Sequence, residues 1–119
     1  MSPRPLTPEE IDGALAELPG WRLAGDRLER TYSFARHLQA AVMVVHVARL
    51  QDELDHHADL LLGYNTLGVS VNTHSVGGKV TGLDVRLARR IEEIAPAHGA
   101  EAGVPAHGAE AGVPAHGTE

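Results

Sequence analysis

A chain of 119 residues with no cysteine, 10 Lys and Arg against 16 Asp and Glu, has room for one domain and excludes a disulfide framework, a thiolate metal site and a cysteine nucleophile. Glu101, Glu110 and Glu119 lie in a C-terminal repeat, so the body carries 13 acidic against 10 basic residues and has no electrostatic footprint for nucleic acid. Trp21, Tyr32, Phe34 and Tyr64 are too few for a base-stacking platform. No apolar run suits a signal peptide or approaches the roughly 18 residues of a membrane span, which predicts a cytoplasmic protein with no membrane partner.

In chain order the body reads as helix, two strands, helix, strand, helix. Thr7-Pro8-Glu9-Glu10 is a capping box with proline at the first helical position; Ile11, Leu15 and Leu18 follow on one face, and Pro19-Gly20 ends this helix. Two short strands are predicted over 21–24 and 28–34, about a Gly25-Asp26 turn. From 36 to about 55 neither Gly nor Pro intervenes, and Ala40, Val44, Val47, Leu50 and Leu54 recur at helical spacing. Leu38, Val42 and Val45 form a second apolar stripe on that helix, which predicts a face that meets another subunit.

Leu67, Val69, Val71 and Thr73 then alternate with Gly68, Ser70, Asn72 and His74, predicting a strand with His74 on its polar face at the end. Gly77-Gly78-Lys79 reads as a flexible loop, and Thr81-Gly82-Leu83-Asp84 is a second capping box. Leu83, Leu87, Ile91 and Ile94 carry the last helix, which ends before Pro96. The pattern is α+β, an antiparallel sheet with helices packed on one face.

The tail repeats PAHGAEAGV at 96–104 and 105–113 and closes on PAHGTE. Such small side chains cannot offset their own ordering entropy, so the domain is placed at 1–95 and 96–119 is expected to be disordered and dispensable. His98, His107 and His116 recur at the repeat period, which is no chelating spacing. A body of about 95 residues buries a limited share of its surface, a further reason to expect a homo-oligomer.

The densest chemistry is Asp52-Glu53-Leu54-Asp55-His56-His57, at the C-terminal end of the long helix. Asp52 and His56, and Glu53 and His57, stand four apart, so each imidazole is expected to share a helix face with a carboxylate; that neighbour and the helix dipole both favour imidazolium. Cations complementing a helix C-terminus would be the structural alternative. Seventeen residues after the pair comes His74, at a strand end facing a glycine loop where backbone groups and an imidazole can meet a planar heterocycle.

Leu54-Asp55-His56-His57, Thr73-His74, Gly77-Gly78, Thr81-Gly82-Leu83-Asp84 and Leu87-Ala88 together resemble the pterin-4a-carbinolamine dehydratase family, over essentially the whole body from Thr7 to about Ile94. The resemblance implies a four-stranded antiparallel sheet in an α-β-β-α-β-β arrangement, a pterin substrate and no cofactor or metal. It implies proton transfer by His56 and His74, binding and orientation of the pterin by His57, and backbone contacts to the ring around 73–76 and next to Ala58, with Thr73, Ser75 and Val76 on the substrate. Asp52 would orient His56, and Asp84, whose capping role is sufficient by itself, would lend the site a supporting contact. Departures from the family pattern are Ala58 where proline is usual, Leu60 where an aromatic is frequent, and Asp52 in place of a glutamate.

Two other readings compete. Relatives that keep this fold without its activity serve as binding or assembly modules, but such a chain would be expected to lose the histidine trio, and all three are present. A metal site from Asp52, His56 and His74 uses suitable ligand types without a characteristic spacing.

Overall fold

The computed structural model describes residues 3–102. Three helices, α1 (Pro8–Leu15), α2 (His37–Leu54) and α3 (Gly82–Ile94), accompany strands β1 (Arg22–Ala24), β2 (Arg27–Ser33), β3 (Asp59–Leu62) and β4 (Thr66–Val71), with short 3-10 turns at His74–Val76 and Ala95–His98. All strand pairs are antiparallel, in the order β1-β2-β4-β3. The α+β class and the four-stranded sheet agree with expectation.

Register explains which face is covered. Leu28, Arg30 and Tyr32 of β2 stand opposite Val71, Val69 and Leu67 of β4, and all six are buried. Between them Glu29 pairs with Ser70 and Thr31 with Gly68, so the polar members of the alternation share the other face. Arg27 straps that face, with Nη2 2.8 Å from Asp59 Oδ2 and 2.9 Å from the Ser70 carbonyl. The covered face packs with Met43 and Val47 of α2 and Leu87 and Ile91 of α3 into one core. Among the described residues no helix is long and apolar enough to cross a membrane.

Both predicted capping boxes form. Glu10 N–H donates to Thr7 Oγ1 and Thr7 N–H to Glu10 Oε1 at 3.1 and 2.9 Å. α1 stops at Leu15, short of the expected Pro19, because the residue before a proline is driven out of the helical region; Glu17 and Leu18 instead donate to Ala14 and Leu15 carbonyls in tight turns. Leu18 still reaches the core. α2 begins and ends within a residue of expectation, and its stripe of Leu38, Val42 and Val45 faces solvent.

Three differences matter. β3 did not show in the residue pattern, because Leu60, Leu61 and Leu62 run without alternation along a sheet edge. β4 ends at Val71, so His74 leads a 3-10 turn rather than the polar face of a strand. Gly77 and Gly78, at φ 73° and 76°, fold the chain back so that Thr73 N–H meets the Lys79 carbonyl at 2.9 Å. Finally, the start of the tail packs on the body: Ala100 lies against the core and Glu101 N–H donates to the Ser33 carbonyl at 2.9 Å. Of the tail expected at 96–119, residues 96–102 are described and repeat residues 103–119 lie outside the described residues.

Candidate active site

The second capping box places a carboxylate where β4, α2 and α3 converge. Asp84 is fully buried in the first turn of α3, a position tolerable only when its oxygens are saturated. Oδ2 accepts the Thr81 amide and the Thr73 hydroxyl, both at 2.8 Å, and Oδ1 lies 2.6 Å from His56 Nε2. The positive end of α3 favours the anion there. An ionised carboxylate only accepts, so the Thr73 hydroxyl donates to Asp84 and takes its own hydrogen bond from the Thr81 hydroxyl, 2.7 Å away. The same rule puts a hydrogen on His56 Nε2 and leaves Nδ1 outside the contact with Asp84. The His56 side chain is only 10% exposed, which holds the ring in place.

The histidine pair does not follow the helical spacing. Asp55 turns into the left-handed region at φ 51° and His56 N–H returns to the Gln51 carbonyl at 3.1 Å, so both histidines lie past the end of α2 and off its i,i+4 rows. Asp52, expected to orient His56, lies instead 3.3 Å from His57 Nε2 in an exposed pair. Glu53 accepts from Arg90 at 3.1 Å. Asp84 is the carboxylate that holds His56.

His74 and Ser75 are exposed at the head of their turn, and Val76 is half-buried. Val76 N–H donates to the Thr73 carbonyl at 3.2 Å, and Asn72 Nδ2 fixes the loop through the Gly78 carbonyl at 3.0 Å. The amides of His74 and Ser75 have no acceptor among the described residues. Thr73 is buried, with its backbone on Lys79 and its hydroxyl on Asp84, so His74 and His56 are joined through one Thr73–Asp84 contact.

The Ala58 amide donates to Gln51 Oε1 at 2.8 Å and is thereby engaged within the protein. Gln51 is the residue that sequence reasoning missed. A glutamine on the buried side of α2, seven positions before Ala58, was its only signal. A cleft of about 550 Å³ between α2 and α3, lined by His46, Arg49, Glu53, Arg90, Glu93 and His98 among others, contains none of the predicted site residues. Among the described residues no three His, Asp or Glu side chains gather as a metal-ligand set, so the alternative grouping of Asp52, His56 and His74 is not assembled.

The family model described as Pterin 4 alpha carbinolamine dehydratase matches residues 4–94. The chain belongs to this family. A Streptomyces avermitilis protein provisionally named a pterin-4-alpha-carbinolamine dehydratase is 59% identical over 100 residues, covering 84% of this chain and 99% of that one. Its Streptomyces coelicolor counterpart, named in the same way, is 56% identical over 100 residues with the same coverage. Among solved structures, a transcriptional coactivator/pterin dehydratase from Brucella melitensis superposes with a TM-score of 0.73 at 31% identity, covering 76% of this chain and 98% of that one. In this dehydratase-family chain the matched span contains His56, His57, His74 and Asp84 together.

Proposed function

We propose that the chain dehydrates a 4a-hydroxytetrahydropterin to the quinonoid dihydropterin, a step of tetrahydrobiopterin recycling, by histidine general acid-base catalysis. The C4a–oxygen bond breaks as the hydroxyl takes a proton and leaves as water. The neighbouring ring nitrogen gives up its proton, and its electron pair closes a C=N bond. His56 and His74 carry the two protons and His57 orients the ring.

The observation that carries this reading is the contact of His56 with buried Asp84. With Nε2 tied to a carboxylate, His56 presents Nδ1 as acceptor when neutral and as donor when protonated, the two forms that general acid-base catalysis needs. Thr73 couples the loop bearing His74 to the same carboxylate. The free amides of His74 and Ser75 suit the acceptor edge of a pterin, with Thr73 and Val76 shaping the loop that presents them. The exposed His57–Asp52 pair is accessible to a ligand. The engaged Ala58 amide leaves that residue its carbonyl and methyl for contact.

The exposed stripe of Leu38, Val42 and Val45 supports a homo-oligomer formed through α2, and the cytoplasm is the compartment this reading assigns. Stopped-flow dehydration of chemically prepared 4a-hydroxytetrahydropterin tests the enzyme. The parent is expected to exceed the spontaneous rate, with His56→Ala and His74→Ala each losing on the order of 10² to 10⁴-fold. A folded parent no faster than buffer would make the chain a binding module.

A further inference from the structure

Four residues of the first repeat unit, His98 to Glu101, are seated on the body by individual contacts. His98 Nε2 lies 2.7 Å from Nδ1 of His46 on α2, with the rings edge to face. Gly99 takes φ 84°, a conformation that favours glycine, and a Cβ there would stand 2.6 Å from Gln39 Nε2, so the Gln39 amide would have to move aside for any side chain. Ala100 packs against the core, and the Glu101 amide donates to Ser33 at the end of β2. The seat thus offers, in order, an imidazole partner, a left-handed backbone position against the Gln39 amide, a small apolar contact and a carbonyl.

His-Gly-Ala-Glu recurs unchanged at His107-Gly108-Ala109-Glu110, and the last unit differs by one residue as His116-Gly117-Thr118-Glu119. We infer that His46, Gln39 and Ser33 form a recognition site for this segment, and that residues 107–110 are its second occupant. Residues 98–101 and 107–110 are chemically identical, so only the tether distinguishes them. Seating 107–110 lengthens the chain between buried Ala95 and the seated histidine from 3 residues to 12, which favours the first unit by roughly eightfold. The second unit takes the seat when the first is disabled, and the tail beyond the anchor shortens by one unit.

Histidine side-chain ¹⁵N NMR on the full chain tests this, with the hydrogen-bonded Nδ1 of His46 as the readout. The double variant H98A/G99V removes the ring partner and forces a β-branched side chain into the left-handed region, which disables the first unit at the surface of the fold. It is expected to keep the paired His46 signal at a reduced population, adding H107A is expected to lower it further, and adding H116A as well is expected to abolish it. Loss of the paired signal already in H98A/G99V would overturn the second occupant. So would a paired signal that H107A leaves unchanged, since the partner would then be some other group.

Discussion

His56 and Asp84 meet at 2.6 Å across 28 residues of sequence, and Asp84 also caps the helix that begins beside it. One carboxylate therefore serves as helix cap and histidine anchor. Asp84→Asn separates the two. If the amide oxygen keeps the Thr81 and Thr73 donors, its NH₂ group faces His56 Nε2 and forces the opposite tautomer, with hydrogen on Nδ1. The expected outcome is a fall in kcat of on the order of 10² to 10⁴-fold with KM little changed, a stability loss of about 1–3 kcal/mol, and a tautomer change visible in the His56 ¹⁵N shifts. An inactive variant whose His56 keeps its tautomer would assign Asp84 to folding alone.

The sequence showed what local rules control. α2 was legible because neither Gly nor Pro interrupts it, and both capping boxes formed where Thr7 and Thr81 announced them. The His56–Asp84 contact was not legible, because the cap already accounted for Asp84 and helical spacing pointed to Asp52, while Asp55 carries His56 off the helix. His74 was placed on a strand face because alternation runs to Thr73, yet Gly77 and Gly78 fold the chain back first. Composition made the tail read as disordered, and composition does not record that His46 and Gln39 present a shape into which His98 and Gly99 fit.

The seat of the tail depends on pH. Burial, and then the neighbouring His46, hold the His98 imidazole below its ordinary value. A basic group whose pKa is lowered in the folded state stabilises that state fully above the ordinary histidine value of about 6.5, and the contribution is lost as pH falls through the lowered value. Arg49, Glu53, Arg90 and Glu93 line the same cleft, with Glu53 and Glu93 each close to Arg90. Hydrogen exchange of the Glu101 amide, corrected for intrinsic rate, is expected to be constant from pH 8 to 7 and to accelerate below about 6. His98→Ala should remove the pH dependence.

The proposed association through α2 makes a separate prediction. Leu38 and Val45 are 70% and 71% exposed on one stripe, an arrangement that costs nothing in the core to change. The double variant Leu38→Asp, Val45→Asp is expected to keep the circular dichroism of the parent and to sediment as a smaller species, with dissociation at least tenfold easier. An unchanged sedimentation coefficient would place the subunit contact elsewhere.

Gly20 and Gly25 isolate the contribution of space from that of backbone conformation. Both have positive φ, 90° and 61°, so alanine is strained at either. At Gly25 an added Cβ meets nothing within 4 Å, whereas at Gly20 it would stand 2.5 Å from Arg30 Nε. That guanidinium cannot easily yield, because it is buried, lies 4.0 Å over the Tyr32 ring and has Glu92 beside it at 3.9 Å. Glu92 in turn accepts from the Tyr32 hydroxyl at 2.7 Å and from Trp21 at 3.0 Å, so a displaced Arg30 disturbs the packing beneath β2. Gly25→Ala is expected to cost about 1 kcal/mol and Gly20→Ala about 2–4 kcal/mol, read as urea midpoints at constant m-value. Equal midpoints would show that Arg30 swings aside without loss, and that its place over Tyr32 contributes little to the fold.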